Sequence, residues 1–337
     1  MVQPMRILFA GTPEPAAVTL QYLLEDSPHE VVAVLTQPDA KRGRGRTLHP
    51  SAVAEVAEAA GVPVHKWPSL KASAEDAEEV RAALRAYAAD GVTAVAVVAY
   101  GQILPADVLD VFDEGWVNLH FSLLPRWRGA APVQAAIAAG DEVTGATTFR
   151  IVPELDAGPV LGEVEEAIGQ EDTADDLLTR LTYAGRELLA DTLTGLETGR
   201  VTGTEQPAEG MTYAAKITPA DARVDWARPA AEIQRVTRAH TPAPGAWTTL
   251  AGDRYKLGLL LPVDDYDGLA VGEVVAGKSR VLVGTGDGVL QITRIQPPGK
   301  KMMAAADWAR GQGDLFAGEV RFDTAGTTGR TDTEGEN

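Results

Sequence analysis

The sequence predicts an α/β fold: a Rossmann-like, doubly wound, mostly parallel sheet followed by a small antiparallel β-barrel. Short β-prone runs alternate with helical stretches through the first part of the chain, the pattern of parallel strands joined by crossover helices. Beyond residue 245 the pattern changes to short β-prone runs split by Gly/Asp turns, as in a small barrel. Between these regions, Gly199 to Gly210 is rich in Gly, Thr, Pro and Glu, lacks periodicity, and reads as a linker. A chain of 337 residues, 45% of them hydrophobic, is long enough for two cores. The expected organisation is a first domain over 1–198, a linker over 199–210, a second domain over 211–322 and a disordered Thr/Gly/acid-rich tail over 323–337.

Arg6 to Ala10, Val31 to Gln37, Val62 to Lys66, Ala94 to Tyr100 and Trp116 to Phe121 are the β-prone runs of the first domain, with helices expected over Pro50 to Ala60 and Ala74 to Ala89. Gly11-Thr12-Pro13 gives a tight turn after the first strand, with Thr12 as the expected N-cap and Pro13 at the first helical position. Gly-x-Gly-x-x-Gly is absent, so this turn is no dinucleotide fingerprint. Val95 to Ala99 reads as buried core ending at Tyr100. Thr144 to Val152 and Val160 to Ala167 suggest further strands, and Thr173 to Leu196 a long helix. In the second domain the runs are Ala246 to Leu250, Tyr255 to Leu261, Gly272 to Val275, Val281 to Val283 and Val289 to Ile295.

Ligands of doubly wound sheets bind at the carboxyl ends of the strands, where Tyr100-Gly101 and Asn118 to Pro125 lie. Residues two apart on a strand share a face, so Asn118 and His120 point the same way, just before a Pro/Gly-rich loop. An amide can donate to a developing oxyanion while a neighbouring imidazole moves a proton near neutral pH. Asp156, in the Gly/Pro-flanked loop Pro153 to Pro159, can return over the strand end to hold the imidazole. Asn118, His120 and Asp156 thus form an acyl-transfer set; the other reading of Asn118 and His120 is that they cap a strand end. The chain has no cysteine and no Ser in a Gly-x-Ser-x-Gly elbow, which favours direct attack by a substrate nucleophile over a covalent acyl-enzyme.

Zero cysteines remove disulfides and thiolate metal sites, and the five histidines show no metal-ligand spacing, so no metal is implied. No run of 18 apolar residues is present and Met1 to Arg6 leads into a strand without a signal-peptide pattern, so the expectation is a cytoplasmic protein with no membrane partner. The net charge of −18 argues against nucleic acid at first, but its distribution softens that: residues 1–205 carry −16, residues 206–323 are neutral and the last 14 residues carry −2.

Asn118-x-His120, Ser122-Leu-Leu-Pro-Arg-Trp-Arg-Gly-Ala-Ala-Pro132 and Leu155-Asp156-Ala-Gly158 resemble the folate-dependent formyltransferases. Further stretches, Phe9 to Pro13, Thr36 to Asp39, Val98 to Gly101, Met211 to Ala214, Ala222 to Trp226 and Pro298 to Lys301, resemble the members that act on methionyl-tRNA. The resemblance implies formyl transfer from 10-formyltetrahydrofolate to the methionine amino group of initiator methionyl-tRNA, for translation initiation. It implies catalytic roles for Asn118, His120 and Asp156, a folate site lined by Ser122, Leu123, Leu124 and Pro125, and an OB-like second domain that binds tRNA. Phe121, Ala243-Pro244 and Met302 depart from residues common in the family, and none touches the expected chemistry.

Lys41, Arg42, Arg44 and Arg46 put four cations in six residues with two glycines between them, a mobile loop that is either a solvated charge run or a phosphate-binding segment. In the family this loop meets the tRNA acceptor end. Lys300 and Lys301, after Pro297-Pro298-Gly299, are the matching cations of the second domain. Arg126 and Arg128 read either as contacts to an anionic folate tail or tRNA phosphate, or as salt bridges within the acidic first domain. Two other functions fit parts of the sequence: formylation of an amino sugar or glycinamide nucleotide, and RNA binding without catalysis.

Overall fold

A computed structural model of the protein describes residues 4–42, 47–266 and 268–324, with the side chain of Arg42 outside that description. Arg44, Arg46 and the tail beyond Thr324 therefore lie outside the described residues. The chain divides into two compact units, the first gathering Met1–Val133, Glu142–Ile168 and Asp176–Ala215, the second Gln134–Asp141, Gly169–Asp175 and Lys216–Asn337.

In chain order the first elements are β1 (Arg6–Gly11), α1 (Glu14–Glu25), β2 (Glu30–Leu35), β3 (Ala40–Arg42), β4 (Thr47–His49), α2 (Ala52–Ala59), β5 (Val64–His65), α3 (Ala77–Ala89) and β6 (Ala94–Val98). They continue with α4 (Ala106–Leu109), β7 (Gly115–His120), β8 (Arg128–Gly129), α5 (Pro132–Ala139), β9 (Val143–Arg150), β10 (Val160–Ala167), α6 (Ala174–Glu197) and β11 (Tyr213–Ala214). The main sheet has the order β10-β9-β7-β6-β1-β2-β5. Its five strands from β7 to β5 are parallel, while β9 pairs antiparallel with both β7 and the edge strand β10. The doubly wound, mostly parallel sheet expected from alternation is present.

Burial explains the order. β6 reads Ala-Val-Ala-Val-Val and is buried at every position, as a central parallel strand covered on both faces must be. β10, at the sheet edge, alternates and exposes Glu163 and Glu165, charges that discourage further strand pairing. One apolar cluster runs from Leu8, Ala33 and Val95 to Phe112 and the fully buried Trp116. The helix after β1 begins differently from expectation: Pro13 is its N-cap, and the Thr12 hydroxyl instead donates to the Tyr100 carbonyl at 2.9 Å. That bond ties the end of β1 to the turn after β6. The basic loop is flanked by an antiparallel pair, β3 with β4, in which Lys41 faces Leu48.

Residues 199–210, which composition reads as a linker, group with the first unit, as do residues 211–215, expected to open the second domain. Thr204 exchanges two 2.8 Å backbone hydrogen bonds with Val160 of β10, and β11 pairs in parallel with β8, Tyr213 facing Arg128 and Ala214 facing Gly129. Hydrogen bonds rather than a periodic apolar stripe hold this segment, so pattern reading passes over it.

The second unit contains α7 (Ala230–Ala239), β12 (Trp247–Leu250), β13 (Asp253–Leu257), β14 (Leu260–Val263), β15 (Glu273–Ala276), β16 (Val281–Gly284), β17 (Val289–Ile292), β18 (Arg294–Gln296), β19 (Met303–Ala304), α8 (Ala305–Arg310) and β20 (Val320–Arg321). These strands form antiparallel sheets in the orders β12-β13-β18-β19 and β14-β17-β16-β15-β20. Both sheets contribute to one core, in which Trp226 stacks on Phe322 at 5.4 Å beside Ile233, Leu290 and Ile295. Arg238, buried, spends its guanidinium on the carbonyls of Gly169 and Asp172 at 3.1 and 3.0 Å.

Candidate active site

β7 is registered between β6 and β9, with Asn118 opposite Val97 and Phe149 and His120 opposite Thr147. Its burial pattern leaves Asn118 half-buried on an otherwise buried strand. Among the described residues nothing hydrogen-bonds the Asn118 amide, so its N–H groups are available at the carboxyl end of the parallel strands. His120 lies two residues on and on the same face.

The loop after β7 reaches back to the imidazole. Nε2 of His120 lies 2.8 Å from the Trp127 carbonyl oxygen. A carbonyl can only accept, so Nε2 carries the hydrogen and Nδ1 keeps its lone pair in the neutral ring. Nδ1 lies 3.9 Å from Oδ2 of Asp156. The same Oδ2 accepts the Gly129 amide hydrogen at 2.7 Å. Trp127 and Gly129 of one short loop therefore hold the histidine and the aspartate, one through a carbonyl and the other through an amide.

The imidazole side chain is 7% exposed and that of Asp156 17%. Burial, the largest influence, pulls the His120 pKa below its ordinary value, while the Asp156 carboxylate and the Trp127 carbonyl act in the opposite direction. At neutral pH the ring is an uncharged base whose protonated form would face a carboxylate. Phe149 closes its other side edge-on, with ring centroids 6.4 Å apart.

Backbone geometry at two glycines makes this approach possible. Gly129 has φ +113°, and a Cβ there would stand 2.5 Å from the Ala214 carbonyl oxygen; at Gly158 a Cβ would stand 1.8 Å from that of Arg150. Asp156 itself has φ 47°, the left-handed region that an L side chain rarely adopts.

Ser122, Leu123, Leu124 and Pro125 form the turn after β7. Ser122 is buried and its hydroxyl donates to the Arg126 carbonyl at 2.6 Å, while Thr147 donates to the Ser122 carbonyl at 2.7 Å and accepts the Leu124 amide at 3.2 Å. Leu124 is buried; Leu123 and Pro125 keep partly exposed apolar surface. Arg126 lies over the Trp127 ring at 4.4 Å. Arg128 turns inward, its Nε and Nη2 donating to Gln206 Oε1 at 3.0 and 2.6 Å and its Nη1 to the Met211 sulfur at 3.1 Å. This neutral cradle is not the salt bridge that one sequence reading of Arg128 expected. Gln206 is the site residue that sequence reasoning missed, because its segment carries no periodic signal.

Of the expected phosphate contacts, Lys41 is exposed on β3, and Lys300 and Lys301 are exposed after a turn closed by the Lys300 amide to the Pro297 carbonyl at 3.1 Å, with Gly299 at φ +67°. Among the described residues no group of three His, Asp or Glu is placed to hold a metal ion, and no helix is long and apolar enough to cross a membrane.

The N-terminal pattern described as "Formyl transferase" matches residues 5–193, and that described as "Formyl transferase, C-terminal domain" matches residues 216–313. The chain is 65% identical over 320 residues to a protein of Corynebacterium jeikeium named methionyl-tRNA formyltransferase, covering 94% of this chain and 98% of that one. It is 62% identical to a protein of the same name from Corynebacterium urealyticum, covering 95% of this chain and 98% of that one. Among solved structures, the sugar 3N-formyl transferase WlaRD shares the fold with a TM-score of 0.64 at 17% identity, over 88% of this chain and 99% of that one. The chain belongs to the formyl transferase family, alongside the methionyl-tRNA formyltransferases.

Proposed function

We propose that this chain transfers a formyl group from 10-formyltetrahydrofolate to the amino group of methionine on initiator methionyl-tRNA, in the cytoplasm, for translation initiation. The observation that carries the mechanism is the Asn118 amide, without a hydrogen-bond partner among the described residues, beside a histidine whose Nδ1 faces Asp156 at 3.9 Å. The folate supplies an electrophilic formyl carbon on nitrogen. Asn118 donates to the oxygen on which negative charge develops, and Nδ1 of His120 takes the proton that the attacking amine loses. Asp156 stabilises the imidazolium so formed, which then returns the proton to the departing folate nitrogen. The C–N bond to the amine forms as that to the folate breaks, and no covalent enzyme intermediate is required.

The apolar surfaces of Leu123 and Pro125 suit a flat pterin, with Ser122 and Leu124 holding the turn that presents them. The first unit carries this chemistry, and Lys41 with Arg42, Arg44 and Arg46, and Lys300 with Lys301, supply cations for tRNA phosphates. The deciding assay is formyl transfer to charged initiator tRNA, run beside charged elongator tRNA and a His120→Ala control. Transfer to the initiator alone, lost in the control, supports the reading; folate turnover without tRNA formylation moves the acceptor to a small amine.

A further inference from the structure

The geometry points to Gln206 as the positioning residue that sets where the Asp156 carboxylate stands, an inference resting on the role given to Asp156 above. Gln206 uses its whole hydrogen-bonding capacity on two loops. Its Oε1 accepts from Nε and Nη2 of Arg128 at 3.0 and 2.6 Å, and its Nε2 donates to the carbonyls of Asp156 and Gly158, both at 2.8 Å. An arginine can only donate and a carbonyl can only accept, so the amide has one orientation that satisfies all four bonds.

The clamp acts where the backbone most needs one. Asp156 holds φ 47°, and a non-glycine residue stays in that region when its surroundings over-determine it. Gln206 grips the carbonyl of that same residue and of the glycine two positions on. On the other side it grips Arg128, whose own amide is fixed by the Thr212 carbonyl at 2.9 Å while the preceding Trp127 amide donates to the Thr212 hydroxyl at 2.9 Å. Arg128 is the residue between the Trp127 carbonyl that holds His120 and the Gly129 amide that holds Asp156. Gln206 thus joins the histidine-bearing loop to the aspartate-bearing loop. Glutamate could accept from Arg128 but not donate to the two carbonyls, and leucine could do neither.

The test is a kinetic cycle on the full chain, comparing Gln206→Glu, Gln206→Ala, Asp156→Asn and the double variant Gln206→Ala/Asp156→Asn, with thermal melts beside the formylation assay. Gln206→Glu keeps the Arg128 contacts and serves if the alanine variant folds poorly. The expected result is a kcat loss of about ten- to a hundredfold in each Gln206 variant with KM for both substrates within about twofold, because displaced catalytic geometry acts on turnover. In the Asp156→Asn background the Gln206→Ala change should cost less than about twofold more, as expected of residues acting as a unit. Wild-type kcat in Gln206→Glu, a rise in KM without loss of kcat, or losses that multiply in the double variant would each overturn the assignment. Full kcat in Asp156→Asn would instead remove the role of Asp156 and, with it, this one.

Discussion

The Nε2 hydrogen of His120 is committed to the carbonyl oxygen of Trp127 at 2.8 Å. The basic nitrogen of the ring is therefore Nδ1, the one that faces Asp156. Burial is the main influence holding the His120 pKa below its ordinary value of 6.5, with Asp156 and the Trp127 carbonyl opposing it. Chemistry that needs the free base is then fully present at neutral pH and is lost as pH falls through the depressed value. A profile of kcat/KM from about pH 5 to 8 should be flat above roughly pH 6.5 and fall on the acid side. Asp156→Asn removes the opposing carboxylate, so its acid limb should move to still lower pH. An acid limb above the ordinary histidine value, or one that Asp156→Asn leaves in place, contradicts this arrangement.

Among the described residues the Asn118 side-chain amide has no hydrogen-bond partner, on a strand whose other residues are buried. Its replacement should therefore cost little stability. Losing one donor to a developing oxyanion costs about 3 kcal/mol, so Asn118→Ala should lower kcat by about a hundredfold or more. Calorimetry should place its melting temperature within a few degrees of wild type, about what a loss below 1 kcal/mol produces. Undiminished turnover in the folded variant would remove Asn118 from the chemistry.

Gly158→Ala tests the backbone behind the site. The added Cβ would stand 1.8 Å from the Arg150 carbonyl oxygen, so the loop must move, and Asp156 lies two residues away. Displacement of about 1 Å can cost a hundredfold in rate, and kcat should fall accordingly. Gly199→Ala is the control: φ is +65° there, but among the described residues nothing lies within 4 Å of the added methyl. That variant should lose roughly 1–2 kcal/mol of stability through backbone strain and keep its kcat. Equal turnover in the two variants would mean that the Asp156 loop tolerates displacement.

The parts of this arrangement legible in the sequence are those that depend on short-range regularity. The all-apolar run that becomes β6 announces a buried parallel strand, and the spacing of Asn118 and His120 puts both on one face of β7. What stays hidden depends on groups far apart in the chain. Asp156 meets Gly129 across 27 residues and Gln206 meets Arg128 across 78, and neither pairing leaves a periodic trace. The stretch from 199 to 215 reads as linker and domain start because its composition is polar and glycine-rich. In the fold it is held by Thr204, Gln206 and Thr212 through backbone and side-chain hydrogen bonds, which composition does not encode. Thr12 similarly has the chemistry of an N-cap, yet its hydroxyl goes to Tyr100, 88 residues away.

Lys300 and Lys301 provide the test of the nucleic-acid reading in the second unit. Both are exposed beyond a turn that Pro298 and Gly299 shape, and the Lys300 carbonyl accepts the Gln296 side-chain amide at 2.8 Å, so the turn holds its form without the lysine side chains. Lys300→Ala/Lys301→Ala should therefore fold normally and keep kcat at saturating methionyl-tRNA, since neither ammonium belongs to the catalytic set. KM for the tRNA should rise and KM for the folate should not. The dependence of log KM on log salt is the sharper readout, because each lost phosphate contact lowers the slope by about one. A slope reduced by about two in the double variant would count both lysines as phosphate contacts. A slope equal to wild type would make them ordinary surface cations and leave tRNA recognition to the loop carrying Lys41 and the arginines that follow it.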